Sequence, residues 1–191
     1  METLPQDAAL IIIDVQQGLD DPKYGPRNNP QAEENMARLL AAWRETGRPI
    51  YHIQHMSREP QSPLRPGLPG NAIKPAVQPR ADEPLIRKDV NSAFIGTDLE
   101  ARLRQAGQDT VVLIGLTTEH CVSSTARMAG NLGFTTYVVG DATATFDMRG
   151  PDGTFYPAET VHGVSLASLH GEFATVVDTA TLLRQLSAPV G

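Results

Sequence analysis

Residues 109–130 read DTVVLIGLTTEHCVSSTARMAG and contain the only cysteine of the chain, Cys121. The apolar, β-branched segment DTVVLIG predicts a buried strand, and the small residues of CVSSTARMAG recur at helical spacing. The segment therefore predicts a strand that turns sharply into a helix, with Cys121 at the turn. A cysteine there lies beside the positive end of a helix and its backbone N–H groups, which lower a thiol pKa and prepare an oxyanion site.

The same alternation of strand and helix runs through the rest of the chain. Strand patterns occupy residues 8–16, 49–55, 85–88, 134–143 and 173–178, and helix patterns occupy 30–48, 97–107, 157–171 and 179–186. This alternation predicts an α/β fold, a parallel sheet with helices on both faces, in a single domain over residues 1–191. Asn29 is predicted to N-cap the first helix, and Thr97 has capping-box spacing to Glu100.

The overall composition narrows the class of partner. The formal net charge of -6 offers no basic field that would attract nucleic acid. The longest apolar run, residues 8–13, is far shorter than the roughly 20 residues needed to cross a bilayer, and no basic segment precedes it. We expect a cytoplasmic protein that binds neither nucleic acid nor membrane. Its expected partners are a small-molecule substrate and other copies of itself.

Three residues at predicted strand ends carry chemistry. Ligands of parallel α/β sheets bind at the carboxyl ends of the strands, where this sequence places Asp14, Lys88 and the turn that holds Cys121. A buried Asp14 with a raised pKa is suited to act as general base, Lys88 as a fixed positive charge that favours thiolate, and Cys121 as nucleophile. The simpler alternatives are an aspartate that caps a helix or holds a loop, a solvated lysine and a buried, inert thiol.

The histidines and one long loop are weaker candidates. His120 adjoins Cys121, but neighbours at a helix start point in different directions, which favours a role in the pocket wall. His52 and His55 face opposite sides of a strand, which is poor geometry for a shared metal. His162 and His170 are predicted to be surface or partly buried structural residues. Residues 56–84 form a long proline-rich loop of the kind that serves as a lid, a pocket wall or a subunit contact.

With Asp14, Lys88 and Cys121 assembled, the chain resembles the isochorismatase-like cysteine hydrolases, which include nicotinamidase, N-carbamoylsarcosine amidase, and biuret and ureidoacrylate hydrolases. The resemblance rests on IIIDVQQG, IRKDVNSAF, VVLIGLTTEHCVSSTARMA and GFTTYVVGDATATFD and covers essentially the whole chain. It implies a Rossmann-like three-layer sandwich with a six-stranded, mostly parallel sheet, an Asp–Lys–Cys triad, and a homo-oligomer, either dimer or tetramer. It also implies a cis peptide between Leu116 and Thr117, with the backbone N–H groups of Thr117 and Cys121 forming an oxyanion hole.

Two departures from the family pattern narrow the activity. The Asp-x-His pair with which nicotinamidases bind a metal is absent from YHIQHMSREPQSP, and isochorismatases proper lack the nucleophilic cysteine. We therefore expect cleavage of a C–N bond in a small amide, ureido or carbamoyl compound through a thioester, with no cofactor and no metal. The alternatives are a binding or redox-sensing protein without turnover, and hydrolysis of a non-amide substrate such as isochorismate.

Several further residues are candidates for binding substrate because they lie close to these motifs in the sequence. Arg58, in the proline-rich loop, would meet a substrate carboxylate. Phe155 and Tyr156 are expected in a lid or beside a neighbouring subunit. The remaining candidates are Gln16, Asn91, Phe94, Glu119 and His120.

Overall fold

The computed structural model describes residues 4–187, and its centre is a six-stranded sheet in which every neighbouring pair is parallel. The strands are β1 (Ala9–Ile13), β2 (Ile50–His55), β3 (Leu85–Lys88), β4 (Thr110–Leu116), β5 (Thr135–Ala144) and β8 (Thr175–Val177). Their order is β3-β2-β1-β4-β5-β8. Two further short strands, β6 (Met148–Arg149) and β7 (Phe155–Tyr156), form a separate antiparallel pair. The α/β class and the six-stranded sheet are thereby confirmed.

Helices cover both faces of the sheet, as the alternating pattern predicted. The helices are α1 (Ala32–Glu45), α2 (Leu99–Gln105), α3 (Ser123–Asn131), α4 (Ala158–Leu169) and α5 (Thr179–Ser187). In β1, Leu10 and Ile12 pack in a core with α1 and α5, whereas Ile11 and Ile13 pack in a second core with α2, α3 and α4. This segregation follows from the two-residue period of a strand, because successive side chains point to opposite faces.

The strand order places a switch point between β1 and β4. The chain winds from β1 outward through β2 to β3, then returns to the other side of β1 as β4. The connections from β1 and β4 therefore diverge to opposite sides of the sheet and leave a crevice at the carboxyl ends of these two strands. Asp14 directly follows β1 and Thr117 directly follows β4, so both lie at this crevice.

The two predicted helix caps have different outcomes, and the cap at Asn29 is wrong. Asn29 adopts a left-handed backbone with φ of 45°, and its side-chain amide donates to the carbonyls of Gly140 and Thr143 instead of capping α1, which begins two residues later than predicted. Although Asp98 is the residue directly before α2, the hydroxyl of Thr97 accepts the backbone N–H of Leu99, the first residue of the helix, at 3.4 Å and donates to the carbonyl of Ala93. At Asn29, tertiary acceptors win over the local cap.

The long loop that follows β2 is fastened to the sheet by a buried amide network. The side chain of Asn71 donates to the carbonyls of His55 and Leu64 at 2.9 and 2.6 Å and accepts from Gln54 at 3.0 Å. Its backbone carbonyl accepts from Gln16 and Gln54 at 2.8 and 2.9 Å. A buried side chain with this many partners is costly to replace, because each lost bond leaves a buried polar group unpaired. The loop is thereby anchored to the sheet at Asn71.

Helix length also bears on the expectation about membranes. Within residues 4–187, none of the helices has both the length and the apolar character required to cross a bilayer.

The backbones of β1 and β4 approach each other closely at Gly115. Its φ is 128°, the pairing of β4 with β5 shifts register between Leu113 and Gly115, and a Cβ at this position would lie 2.1 Å from the carbonyl oxygen of Ile13. No side chain larger than hydrogen fits there without moving β1. Gly115 therefore fixes the distance between the strand ends that carry Asp14 and Thr117.

We predict that Gly115→Ala lowers the free energy of unfolding by at least about 4 kcal/mol or abolishes soluble expression, because backbone overlap adds to an unfavourable φ. The matched control is Gly133→Ala, where φ is also positive at 84° but no atom lies within 4 Å of the added Cβ. That variant should lose only about 1–2 kcal/mol, the cost of the left-handed backbone. Urea unfolding measures both, and equal losses in the two variants would contradict the close-contact explanation.

Candidate active site

The three predicted strand-end residues meet in one buried cluster. The Nζ of Lys88 lies 2.6 Å from Oδ2 of Asp14 and 3.4 Å from Sγ of Cys121. The side chains of Lys88 and Asp14 are almost fully buried, and that of Cys121 is partly buried. The sequence predicted this convergence only through the general rule that the carboxyl ends of parallel strands share one edge of the sheet.

Asp14 is the acceptor at the centre of the cluster. Its backbone is left-handed, with φ of 52°, a conformation that is uncommon for aspartate and turns the chain sharply after β1. Burial raises the pKa of Asp14 above its ordinary value even though Lys88 opposes the shift, and the carboxylate faces the Cys121 thiol. Its second oxygen, Oδ1, is buried and has no hydrogen-bond partner among the described residues. The raised pKa that a general base requires is therefore present.

Cys121 lies in a π-helical turn, Thr118–Val122, that precedes α3. The carbonyl of Thr117 accepts from the backbone N–H groups of His120 and Val122 at 3.3 and 3.2 Å, which winds the turn more widely than an α-helix. Burial, followed by the neighbouring Asp14 carboxylate, raises the pKa of the Cys121 thiol. The expectation of a thiol acidified by Lys88 and the helix start is therefore wrong for this state, because desolvation outweighs both.

The turn around Cys121 has two further features. The cis peptide expected between Leu116 and Thr117 is present. Thr118 is fully buried, and its hydroxyl pairs with Nδ1 of His162 at 2.9 Å, while Nε2 of His162 lies 3.3 Å from the amide of Asn29. His162 was predicted to be surface or partly buried; it is in fact buried and linked to the turn. No local pattern in the sequence pointed to this long-range contact.

A cavity of about 420 Å³ opens above the cluster. Asp14, Thr117 and Cys121 are among its lining residues. One part of the lining is apolar and consists of Leu19, Tyr24, Leu64, Leu116, Phe146 and Met148. The polar part also includes Lys23, His55, Ser62, Asn91, Glu119, His120 and Asp147.

Of the predicted pocket residues, three line this cavity: Asn91, Glu119 and His120. Glu119 has an internal partner, because the hydroxyl of Thr117 donates to its Oε1 at 2.9 Å. The role of these residues in binding a substrate stays a prediction. Ser62 and Leu64 place part of the long loop in the cavity lining, which is one of the three roles expected for it.

The other predicted pocket residues lie outside the lining, which corrects their expected positions. Gln16 is fully buried, with its amide engaged by the backbone of His55 and Asn71. Phe94 is buried against Phe134 in the core. Their side chains are committed to the buried amide network and to the core, respectively.

The remaining three are exposed. The guanidinium of Arg58 pairs with Asp89 and is mostly in solvent, so it does not reach the cavity. Phe155 and Tyr156 form β7, the outer strand of the hairpin, with about half of each side chain exposed. The inner strand of the same hairpin supplies Met148 to the lining. The prediction therefore named the correct hairpin, but the strand that reaches the cavity is β6 and not β7.

The structure brings His55 and an aromatic pair to the site, none of which was selected from the sequence. His55 faces the cluster, with Nδ1 3.2 Å from Nζ of Lys88. His52, three residues earlier, points away and pairs with Glu83 at 2.8 Å, as the opposite-face prediction required. Tyr24 and Phe146 stack with ring centroids 5.2 Å apart. His55 lies opposite Lys88 because β2 pairs with β3 in this register, and no local sequence pattern indicates that pairing.

A metal ion does not fit the cluster as it stands. Within the described part of the chain, Asp14, His55 and Cys121 offer ligand atoms within 4.8 Å of one another. However, Nζ of Lys88 lies 2.6, 3.2 and 3.4 Å from those three side chains, which is where a cation would have to bind. The ammonium group already supplies the positive charge that these ligands would otherwise share.

Fold and site together define an α/β protein of the hydrolase class, with a thiol, a carboxylate and an ammonium group at the carboxyl edge of a parallel sheet. A family model described as Isochorismatase domain matches residues 8–181. The chain belongs to the isochorismatase family and is an isochorismatase-family hydrolase.

Relatives agree with this placement. The uncharacterized isochorismatase family protein YrdC of Bacillus subtilis is 52% identical over 180 residues, covering 94% of this chain and 96% of that protein. The crystal structure of a putative hydrolase of the isochorismatase family from Chromobacterium violaceum superposes with a TM-score of 0.94 at 48% identity, covering 97% of this chain and 96% of that one. Maleamate amidohydrolase of Pseudomonas putida is 34% identical over 148 residues, 69% of each chain.

We predict that Lys88→Met lowers the free energy of unfolding by about 3–5 kcal/mol at pH 8, because it leaves the Asp14 carboxylate buried without its counter-ion. The loss should shrink toward pH 5. Without Lys88, folded Asp14 would keep its proton to a higher pH than unfolded Asp14, so the folded variant becomes less stable as pH rises through that range. Urea unfolding at the two pH values measures this.

Two variants serve as controls for this prediction. Arg102→Met removes one partner of an exposed ion pair with Asp98 and should cost no more than about 1 kcal/mol at either pH. Asp14→Asn combined with Lys88→Met removes both charges and should recover part of the loss at pH 8. A loss in Lys88→Met that is the same at pH 5 and pH 8 would contradict a buried, charge-coupled pair.

Proposed function

We propose that this protein is a cysteine hydrolase that cleaves a C–N bond of a small amide, ureido or carbamoyl compound without a metal. One observation carries the proposal: Lys88 touches both Asp14 and Cys121, while the second oxygen of Asp14 is buried and has no hydrogen-bond partner among the described residues. A nucleophile, a base with a raised pKa and a fixed cation are thereby within reach of one another at the floor of a cavity.

The first half of the proposed reaction forms a thioester. Asp14 takes the thiol proton, Sγ attacks the carbonyl carbon of the substrate, and the electrons of the carbonyl bond move to its oxygen. The backbone N–H groups of Thr117 and Cys121 donate to that oxyanion, and both residues line the cavity. Collapse of this intermediate breaks the C–N bond as Asp14 gives its proton to the departing nitrogen.

The second half releases the acid. Asp14, again a carboxylate, takes a proton from water, whose oxygen attacks the thioester carbon. Collapse breaks the C–S bond, and the proton on Asp14 returns to sulfur, which restores the starting thiol. Lys88 stays charged throughout and offsets the negative charge that alternates between Asp14 and Cys121.

The name of one relative bears on the bond that is cleaved. The Pseudomonas putida relative is called an amidohydrolase, and the presence of Cys121 and Asp14 in this chain is consistent with the same class of bond. The cavity suggests the size and character of the substrate. About 420 Å³ with a partly apolar lining is more than an unsubstituted urea needs, so we propose a substrate that carries an apolar or aryl group on its amide or ureide.

We predict that a screen of small amides, ureides and carbamoyl compounds for ammonia or amine release finds activity that depends on Cys121. Cys121→Ala and Asp14→Asn should each lower kcat/KM by at least about a thousandfold, because each removes a group that forms or breaks a bond. Ser168→Ala, an exposed position on α4, is the matched control and should retain full activity. Turnover that survives Cys121→Ala would refute the thioester mechanism.

We also predict that Phe146→Ala changes selectivity more than catalysis. Phe146 stacks on Tyr24 in the apolar part of the lining, so its loss should raise KM about tenfold for substrates with an aryl group. The kcat of the same variant toward the smallest accepted substrate should stay within about twofold of the parent value, because the cluster around Lys88 is unchanged. The ratio of kcat/KM for the two substrates is the measurement, and an equal loss for both would contradict a substrate-binding role.

A further inference from the structure

The Nζ of Lys88 has more acceptors than it can serve. Oδ2 of Asp14 lies at 2.6 Å, the carbonyl of Val90 at 3.0 Å, Nδ1 of His55 at 3.2 Å and Sγ of Cys121 at 3.4 Å. An ammonium group has only three N–H donors. Asp14 and Val90 are the two nearest acceptors, which leaves the third donor between His55 and Cys121.

His55 is fixed where this competition takes place. In the sheet its register partner is Lys88 itself. Its backbone N–H donates to Oε1 of Gln16 at 2.8 Å, and its carbonyl accepts from the amides of Gln16 and Asn71 at 3.1 and 2.9 Å. These bonds fix the backbone of His55 opposite Lys88, and the ring lies with Nδ1 3.2 Å from Nζ.

The charges around His55 keep its ring neutral. Burial and then the nearby Lys88 ammonium lower the pKa of His55, against the smaller opposing effects of the Asp14 and Asp89 carboxylates and the Val90 backbone. The remaining titratable group in the cluster is the Cys121 thiol. A neutral imidazole facing an ammonium group presents an unprotonated nitrogen, so Nδ1 is the acceptor and Lys88 the donor.

We infer that His55 is a positioning residue that accepts the third N–H of Lys88 in the resting protein and so keeps Cys121 a neutral thiol. When the thiol proton moves to Asp14, the third N–H turns from Nδ1 of His55 to the sulfur, which is then negative and the stronger acceptor. The proton transfer breaks the S–H bond of Cys121 and forms an O–H bond on Asp14, whereas the turn of the Lys88 N–H changes only hydrogen bonds. The nucleophile is thereby charged only when Asp14 takes its proton, and in the resting state it is shielded from oxidants and alkylating agents, which react with thiolate.

The test is the rate at which iodoacetamide alkylates Cys121 between pH 6 and pH 10, followed by intact mass. Because Cys121 is the only cysteine, the signal comes from one thiol, and no substrate is needed. His55→Leu removes the acceptor and frees the third N–H for sulfur. We expect the apparent pKa of Cys121 to fall by about one unit and alkylation at pH 7 to become about tenfold faster. Leucine also keeps water out, so faster alkylation would not come from better solvation of the thiolate.

The matched variant is His55→Asn, whose side-chain oxygen can take the place of Nδ1 as acceptor. It should alkylate within about twofold of the parent rate at every pH, which a merely space-filling role for His55 would not explain. His55→Met carries the same expectation as leucine, should the branched side chain prevent folding. An alkylation profile unchanged in both apolar variants, or shifted equally in His55→Asn, would overturn the inference. Either result leaves the hydrolytic proposal intact, because that proposal is tested by ammonia release.

Discussion

The buried ion pair between Asp14 and Lys88 is the interaction on which the rest of the site depends. Two charges removed from water are stable only when each is held close to the other and supplied with hydrogen bonds. Here the pairing distance is 2.6 Å, and the backbone of Val90 takes a further donor of Lys88. The pair leaves the second carboxylate oxygen buried and without a hydrogen-bond partner among the described residues, so one arrangement both neutralises the buried charge and leaves a proton acceptor available.

The ion pair requires strand ends that are placed to within a fraction of an ångström, and backbone features supply that precision. Gly115 sets the approach of β4 to β1, and the left-handed backbone at Asp14 turns the carboxylate toward the cluster. The amides of Gln16 and Asn71 tie the end of β2 to the loop beyond it. These groups take no part in the proposed chemistry, yet each determines where a reacting atom lies.

Much of the fold and the centre of the site can be predicted from the sequence, because both follow from local pattern and from one rule of parallel sheets. The apolar runs that end in Asp14 and Lys88, and the strand-to-helix turn at Cys121, are visible in single segments. The cavity lining is less predictable, since Tyr24, Phe146 and His55 come together only through strand order and register. The predicted direction of the Cys121 pKa shift was wrong for a related reason. The extent of burial is a property of the assembled structure, whereas the helix start can be seen in the sequence.

The reacting groups and the cavity lining come from different kinds of segment. Asp14 and Lys88 lie on or beside strands of the sheet, whereas Tyr24, Leu64, Phe146 and Met148 come from connections after β1, β2 and β5. Connections tolerate insertion and substitution far better than paired strands do. Proteins that share these catalytic residues can therefore acquire new substrates through changes in the connections between strands. Each changed connection would still need a residue such as Asn71 that anchors it to the sheet. The boundary between chemistry and selectivity in this chain is thus also the boundary between segments that tolerate little substitution and segments that tolerate more.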